Sequence, residues 1–273
     1  MITLVPIGGL GNRMRAFASG IALSRATNQQ LRVFWIKDKG LNCRFDELFC
    51  YPKINNLIIK EHSFWNKFAI DYPRKSNVYL PKFFHPLLFD GRLYGKESTK
   101  DAIDFPSWVL HYRHPYIASF SPFFDATEVK WQDVFKPKRE LDEKVKSNFH
   151  SFNAHTVGVH IRRSDNVQSI QESPIELFVE AIQKELESCP ETTFFVCSDS
   201  MEVKKILSEK FNKNIILSSE KGSRDNETGI KGALVDLFTL AGCDKIFGSY
   251  YSSFSEIAAL LGNKPLKIIR KPK

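Results

Sequence analysis

The chain has 273 residues, of which 42% are hydrophobic and 26% charged, a balance typical of a globular protein rather than a disordered or fibrous one. That length predicts one large domain or two domains of ordinary size. No run approaches the roughly 18–20 apolar residues that cross a bilayer, and the N-terminus has no basic stretch ahead of an apolar one. We therefore expect neither a membrane-spanning helix nor a secretory signal. The five cysteines are odd in number and none are spaced as CxxC, which predicts reduced thiols in a cytoplasmic protein.

The net charge of +8 comes from the N-terminal half of the chain. Residues 1–150 contain 23 Lys and Arg against 15 Asp and Glu, whereas residues 151–273 contain 16 of each kind. A surplus confined to one half favours contact with an anionic partner, such as a phospholipid surface or an acidic glycan, with a generally basic soluble surface as an equal alternative. The basic residues are scattered and no nucleic-acid-binding motif is present, so we expect no nucleic-acid partner.

The N-terminal elements predict a β-α-β unit. A β-rich run at 2–7 ends at Gly8-Gly9, and a second apolar run of strand length follows at 31–36. Apolar residues between the two runs share one helical face: Met14, Phe17, Ala18, Ile21 and Ala22. Residues 40–135 are rich in aromatic residues and proline but have little periodicity, so we expect irregular structure and short helices packed over a sheet. A helix is predicted at 139–150, close to a domain junction.

From residue 155 onward, short strands alternate with amphipathic helices. β-Branched and aromatic residues are concentrated at 156–161, 192–197, 214–217, 245–247 and 266–269. Continuously apolar strands, separated by helices of about 10–15 residues, predict a parallel sheet covered on both faces. We therefore predict an α/β fold with domains at 1–150 and 151–273, the second of them a five-stranded doubly wound sheet.

Polar residues follow these strands at the sheet edge where ligands of such folds bind. Arginine matches phosphate oxygens with a rigid fork of donors, a helix start adds N–H groups at the positive end of its dipole, and aspartate can accept from a guanine edge or a ribose hydroxyl. The sequence therefore predicts a nucleoside diphosphate site formed by His160, Arg162, Arg163, Asp165, Asp199, Tyr251, Ser252 and Ser253. The alternative is a salt-bridge cluster in which Asp165 or Asp199 pairs with an arginine.

A second candidate phosphate loop spans residues 8–13, GGLGNR. As a dinucleotide fingerprint, GxGxxG, it has Met14 in place of the third glycine, and Asp38 would be the acid that binds the ribose. An NAD(P)-dependent enzyme is therefore an alternative function. Otherwise, the loop allows Gly11, Asn12 and Arg13 to approach a ligand held mainly by the other domain.

Several common catalytic motifs are missing from the sequence. It contains no Asp-x-Asp pair, no HExxH, no GxxxxGK[ST] and no GxSxG, so we expect no metal cofactor. The histidines of the aromatic middle, His85, His111 and His114, are expected to be packing or surface residues.

Four segments together resemble the GDP-fucose-dependent fucosyltransferase superfamily. They are GGLGNRMRA at the N-terminus, VGVHIRRSDN at 157–166, FFVCSDS at 194–200 and GSYYSSFSEIAAL at 248–260. The superfamily includes α1,2-, α1,6-, nodulation and protein O-fucosyltransferases, and HxRRxD is the most specific of the shared motifs. SPIELF at 173–178 resembles the segment that follows this motif in α1,6 enzymes. The resemblance covers residues 5–25 and most of 155–262.

The resemblance implies a GT-B fold, in which two Rossmann-like domains face each other across a cleft. The N-terminal domain would hold the acceptor and the C-terminal domain the GDP-sugar, in a metal-independent, inverting transfer. The implied contacts are Arg162 and Arg163 to the pyrophosphate, His160 and Asp199 to the guanosine, Ser252 and Ser253 to the phosphates, and Gly11 and Asn12 to the diphosphate from the other side. Arg162 is the expected β-phosphate ligand. Glu172 is a nearby candidate for the catalytic base, although its spacing from HIRR differs from that of the family's base, and Asp38 and Asp46 are equal alternatives.

We therefore predict a cytoplasmic glycosyltransferase that transfers fucose, or a similar sugar, from a GDP-sugar to a carbohydrate acceptor. The charge surplus favours an anionic or lipid-linked acceptor and a peripheral contact with the inner face of a membrane. A non-catalytic protein that binds a sugar nucleotide is a further alternative.

Overall fold

The structure, a computed structural model, describes residues 1–61, 63, 84–99, 103–163, 167–220 and 226–272. The chain divides into two compact units, Met1–Lys138 with Arg224–Glu227, and Arg139–Ser223 with Thr228–Lys273. Each unit contains one five-stranded sheet in which every strand pair is parallel. None of the helices in these described ranges is long and apolar enough to cross a membrane.

The first unit is built around strand β1, which is buried along its whole length. Its sheet has the order β3-β2-β1-β5-β4. The strands are β1 (Ile2–Pro6), β2 (Leu31–Trp35), β3 (Leu57–Glu61), β4 (Gly91–Tyr94) and β5 (Pro115–Ser119). The helices described for this unit are α1 (Leu10–Thr27), α2 (Phe45–Leu48), α3 (His85–Leu88), α4 (Phe105–His111) and α5 (Trp131–Val134).

The prediction for residues 40–135 is wrong in one respect, because this region contributes three strands to the first sheet. β5 pairs directly with the central strand β1, and β3 and β4 lie on either side of the inner strands. These strands are only four or five residues long, and β5 begins with Pro115, so neither alternation nor a long apolar run marks them. The aromatic residues of the region do pack as expected. Buried rings contact one another edge to face beside α1: Phe17, Trp35, Phe45, Phe49 and Phe135.

The second unit confirms all five predicted strands of the C-terminal half. Its sheet has the order β10-β9-β6-β7-β8. The strands are β6 (Thr156–Ile161), β7 (Thr193–Ser198), β8 (Ile215–Leu217), β9 (Lys245–Ser249) and β10 (Leu266–Ile269). The helices are α6 (Arg139–Phe149), α7 (Val167–Glu172), α8 (Ile175–Ser188), α9 (Met201–Phe211), α10 (Glu227–Ala241) and α11 (Ser253–Gly262).

The two faces of β6 have different neighbours. Val157, Val159 and Ile161 pack into a buried apolar cluster with Phe178 and Ile182 of α8. Because side chains alternate along a strand, His160 belongs to the opposite face. On that face α11 lies very close to β9, since a Cβ on Gly248 would stand 2.5 Å from the hydroxyl of Ser255. This close approach holds the start of α11 beside the end of the central strand.

Candidate functional site

The strand order of the second unit reverses between β6 and β9. From the central strand β6, the chain continues to β7 on one side, whereas β9 pairs with its other side. The segments that follow β6 and β9 therefore leave the sheet in opposite directions and open a crevice at its carboxyl edge, which is where open α/β sheets bind ligands. The residues that enter this crevice are Arg162 and Arg163 after β6, and residues 250–253 after β9.

Ser249, the last residue of β9, holds the chain in place at Arg162. The backbone N–H of Arg162 donates to the Ser249 hydroxyl at 3.1 Å, and this hydroxyl is directed to the carbonyl oxygen of His160 at 3.4 Å. Ser249 is fully buried, whereas Arg162 is half-buried. The backbone at Arg162 is thus anchored to the sheet at its carboxyl edge.

Arg163 has partners within the protein. Its guanidinium donates to the carbonyl oxygens of Arg162 (2.9 Å) and Ser173 (2.7 Å), so two of its donors are directed at backbone. Its contact with a pyrophosphate stays a prediction. Burial lowers the pKa of this guanidinium from its ordinary value. An arginine side chain nonetheless stays charged in proteins. Arg163 therefore stabilises the loop from which Arg162 projects.

Asp199 joins the loops after β6 and β7. One carboxylate oxygen accepts a hydrogen bond from the backbone N–H of Arg163 at 2.7 Å, and the side chain is otherwise exposed. Ser198 strengthens this junction, because its hydroxyl donates to the carbonyl of Ile161 at 2.8 Å. The predicted Asp199 thus stands at the carboxyl edge beside the arginines. The other predicted acid, Asp165, lies outside the described residues.

His160 is held as a neutral imidazole beside the start of α11. Its ring stacks on Phe254 with a centroid distance of 4.7 Å, and its Nδ1 lies 3.5 Å from the hydroxyls of Ser252 and Ser255. Burial is the main cause that lowers the pKa of His160 to about 4; the charge of Asp199 opposes this shift, and the charge of Arg162 adds to it. At neutral pH this side chain therefore offers hydrogen bonds without charge.

The turn that opens α11 buries Ser252, which is 1% exposed, and leaves Tyr251 at the surface. Ser252 precedes the helix in an extended conformation, but its side chain makes no capping hydrogen bond to the first turn. Tyr251, immediately before it, has a positive φ of 57° and is 67% exposed. A bulky residue held in this left-handed conformation costs on the order of 1–3 kcal/mol, and such strain is concentrated at ligand sites. Tyr251, Ser252 and Ser253 therefore form a polar turn at the positive end of a helix dipole, as the sequence predicted.

Burial also shifts the pKa of Asp236 in this unit, but it raises that pKa, whereas it lowers the pKa of His160. The carboxylate of Asp236 in α10 accepts a hydrogen bond from the hydroxyl of Ser218, whose carbonyl accepts from the ammonium group of Lys204 at 3.0 Å. Burial raises the pKa of Asp236 to about 7, although the bond from Ser218 and the charge of Lys204 both lower it. Asp236 therefore keeps its proton in the folded chain at pH values where an unfolded chain has lost it.

These two groups predict opposite pH dependences for the stability of the second unit. The folded His160 resists protonation down to about pH 4, so its contribution is complete above pH 6.5 and is lost as the pH falls through that range. The contribution of Asp236 is complete below pH 3.8 and is lost as the pH rises through about 7. In His160→Gln only the contribution of Asp236 remains, so we expect the free energy of unfolding to fall as the pH rises from 4 to 6.5. In Asp236→Asn only the contribution of His160 remains, so we expect the free energy of unfolding to fall as the pH decreases.

Each slope is expected to reach at most about 1.4 kcal/mol per pH unit, the value for one proton. Urea unfolding followed by circular dichroism measures these slopes. Tryptophan fluorescence is unsuitable, because all four tryptophans lie within residues 1–150 and do not report on the second unit. Equal slopes in the two variants would contradict the assignment.

In the first unit, the structure contradicts the predicted ligand contact of Arg13. Its guanidinium is completely buried, pairs with the carboxylate of Asp38 at 2.9 Å and donates to the carbonyl of Gly8 at 2.8 Å. The same group lies 5.5 Å from the centre of the Trp35 ring. Gly8 has a φ of +90°, which glycine adopts without strain. Arg13 therefore holds the glycine turn from inside the unit.

The same ion pair argues against the NAD(P) alternative. Asp38 would have to present its carboxylate to a ribose, but one oxygen faces Arg13 and the other accepts from the N–H groups of Gly40 and Leu41. Both side chains of the pair have no exposed surface. The remaining predicted residues of this loop, Gly11 and Asn12, are half-buried in the first turn of α1, where Asn12 accepts from Arg15 at 3.0 Å.

The candidates for a catalytic base lie in different parts of the chain. Glu172 ends α7 of the second unit, where its backbone carbonyl accepts from the N–H of Lys271 at 2.8 Å and its side chain is half-buried. Asp46 is on α2 of the first unit, where a hydrogen bond from Arg44 lowers the pKa of its carboxyl and makes it a weaker base. Among the described residues, no group of three or more His, Cys, Asp or Glu side chains is placed to hold a metal ion.

Three residues of this edge were not predicted from the sequence: Ser173, Ser249 and Phe254. Ser249 and Phe254 lie inside the segment that resembles the superfamily, so their position next to predicted residues was the available signal. Ser173 opens the SPIELF segment, which also resembles the superfamily, but its hydrogen-bond partners are up to 96 residues away, so its role is not visible in the local sequence.

Comparisons with known proteins extend these observations. No protein-family model and no curated protein matches the sequence. Fucosyltransferase NodZ from Bradyrhizobium is similar in structure, with 17% identity, a TM-score of 0.62 and coverage of 95% of this chain and 93% of that chain. A variant of FUT1 from Arabidopsis thaliana in complex with GDP has 17% identity and a TM-score of 0.68, covering 100% and 70%. POFUT1 in its apo form has 14% identity and a TM-score of 0.59, covering 98% and 97%.

These likenesses establish the fold. The predicted class, an α/β GT-B-like architecture with two Rossmann-like domains, is confirmed by the two parallel sheets and by these structural neighbours. The division into units falls at Lys138, one helix before the predicted boundary at residue 150. In fold, the chain is therefore similar to the fucosyltransferases that its sequence motifs resemble.

Proposed function

We propose that this protein is a glycosyltransferase that binds a GDP-sugar, fucose being the expected sugar, at the carboxyl edge of its second sheet. The observation that carries the proposal is the position of Arg162, whose backbone is anchored at the reversal of strand order by Ser249, the last strand residue before the turn that opens α11. A guanidinium and a helix N-terminus are the two protein groups best suited to a pyrophosphate. Structures of NodZ co-crystallized with GDP and soaked with GDP-fucose have the same fold and support this choice of nucleotide.

The expected reaction is a single displacement with inversion. An acceptor hydroxyl attacks the anomeric carbon as the bond from that carbon to the phosphate oxygen breaks, its proton passes to a carboxylate, and GDP leaves. The sugar is oxocarbenium-like in the transition state, and negative charge grows on the β-phosphate. Arg162 and the N–H groups of α11 would stabilise that charge most when the bond is nearly broken, which is how such groups accelerate a reaction. A metal ion would otherwise supply this stabilisation of the leaving GDP.

The nucleoside would lie toward β7. In doubly wound sheets, an acid at the end of the second strand accepts hydrogen bonds from ribose hydroxyls, and Asp199 occupies this place after β7. The neutral His160 and the hydroxyls of Ser252 and Ser253 complete the proposed donor site. Glu172 is the proposed base, while Gly11 and Asn12 of the first unit remain predicted contacts.

The proposed acceptor is a carbohydrate, anionic or lipid-linked, because the charge surplus of the chain lies in residues 1–150. Such a surface also favours a peripheral contact with an acidic membrane at the cytoplasmic face. Screening by salt would weaken this contact.

Calorimetric titration tests the nucleotide, and we expect GDP to bind while ADP, UDP and NAD show no measurable heat. Hydrolysis of GDP-fucose, followed by release of GDP, tests turnover and should continue unchanged in EDTA. Binding of GDP without hydrolysis or transfer would favour the non-catalytic alternative. Preference for NAD, or a strict requirement for Mn²⁺, would contradict the proposal.

A further inference from the structure

Ser173 is a fully buried serine at the junction of α7 and α8, outside the set of predicted ligand contacts. Its hydroxyl accepts a hydrogen bond from the backbone N–H of Tyr250 at 2.8 Å and donates to the carbonyl of Ile269 at 2.6 Å. Its own carbonyl accepts from the guanidinium of Arg163 at 2.7 Å. One residue thus contacts three segments that are distant in sequence.

Two of these segments follow the strands between which the strand order reverses, since Arg163 follows β6 and Tyr250 follows β9. The third residue, Ile269, ends the edge strand β10. Neighbouring contacts strengthen the junction, since the carbonyl of Glu172 accepts from the N–H of Lys271 at 2.8 Å. Ser173 therefore connects the segment of Arg162 and Arg163 to the turn that opens α11.

We propose that Ser173 is a positioning residue of the donor site. It sets the distance between Arg162 and the turn of Tyr251, Ser252 and Ser253, so that one pyrophosphate can contact both. The inference rests on the proposed function, but it concerns a residue that is fully buried and therefore contacts no nucleotide itself.

The chemistry of the position explains why a serine is suited to it. A hydroxyl is the smallest side chain that can accept one hydrogen bond and donate another at the same time. Alanine would leave the N–H of Tyr250 and the carbonyl of Ile269 without these partners in a buried place. The turn before α11 would then be held only by its remaining contacts, and its position relative to Arg162 would vary.

The first unit supplies a matched control. Ser19 of α1 is also fully buried, and its hydroxyl donates to the carbonyl of Phe124 at 3.0 Å and accepts from the N–H of Phe123 at 3.2 Å. Ser19→Ala therefore removes the same pair of hydrogen bonds at a place that belongs to neither predicted phosphate loop. A loss of packing or stability alone should affect both variants similarly.

The experiment measures GDP affinity by calorimetry and unfolding by urea for wild type, Ser173→Ala and Ser19→Ala. Both variants should lose stability, but only Ser173→Ala should weaken GDP binding, by roughly tenfold for two hydrogen bonds. Ser173→Thr, which keeps the hydroxyl, should bind GDP more tightly than Ser173→Ala. Where Ser173→Ala does not fold, Ser173→Cys replaces it, since a thiol fills the space but is a weak hydrogen-bonding group, and an intermediate loss is expected.

Two outcomes separate this inference from the proposed function. If wild type fails to bind GDP, the proposed function is wrong and the inference falls with it. If wild type binds GDP and the Ser173 variants bind it equally well, or if Ser19→Ala weakens binding as much, Ser173 is a structural residue only.

Discussion

Replacing Arg162 by alanine is expected to reduce sugar transfer by roughly 10²–10³-fold, the usual cost of removing one donor that stabilises charge in a transition state. The effect should fall on turnover more than on GDP-sugar affinity, because the charge on the β-phosphate is greatest as the sugar leaves. The fold should survive, because the backbone N–H of Arg162, which donates to Ser249, is kept in the variant. Arg162→Lys keeps the charge but loses the planar fork, so we expect an intermediate rate.

Single-turnover transfer from GDP-fucose, together with urea unfolding of each variant, measures both parts of this prediction. Arg139→Ala is the matched control, because the Arg139 side chain is 92% exposed and pairs only across the surface of α6 with Glu143. Surface pairs of this kind contribute about 0–1 kcal/mol, so this variant should be close to wild type. If Arg162→Ala retained more than about a tenth of the activity, Arg162 would not be the group that stabilises the departing GDP.

Asp38→Ala is expected to destabilise the first unit by about 3–5 kcal/mol, since it leaves the buried guanidinium of Arg13 without its charged partner. The carbonyl oxygens of Gly8 and Ile36, which also accept from Arg13, cannot replace the carboxylate because they carry only partial charges. Replacing both residues by apolar ones, Arg13→Met with Asp38→Leu, should recover much of this loss, since no charge then remains buried.

Tryptophan fluorescence during urea unfolding measures the loss directly. All four tryptophans lie in residues 1–150, and Trp35 packs against Arg13 itself. Asp125→Ala, which removes an exposed carboxylate that accepts from the N–H of Thr127 at 3.0 Å in the same unit, is the control and should change stability by less than about 1 kcal/mol. A loss of similar size in both variants would mean that the Arg13–Asp38 pair is not an essential part of the core.

The sequence predicted the second sheet well for a physical reason. Parallel strands covered on both faces are predominantly apolar, and this is visible in short segments such as 156–161 and 192–197. In the first sheet, β3, β4 and β5 lie in a region where aromatic residues and prolines are spread over strands and loops alike, so the strands do not stand out from their surroundings. The pairing of β3 with β2, β5 with β1 and β4 with β5 depends on the tertiary structure, which the local sequence does not reveal.

The candidate site likewise has features that the sequence predicted and features that only the folded structure revealed. The sequence alone determined that His160, Arg162, Asp199 and Ser252 follow or end strands of a parallel sheet, and the carboxyl ends of such strands must meet at one edge. It could not determine which partners inside the protein the arginines would find. Arg13 pairs with the carboxylate of Asp38, and Arg163 donates to the carbonyl of Ser173. Only the folded chain brings these partners within hydrogen-bonding distance, and a buried charge must take whatever partner the fold provides.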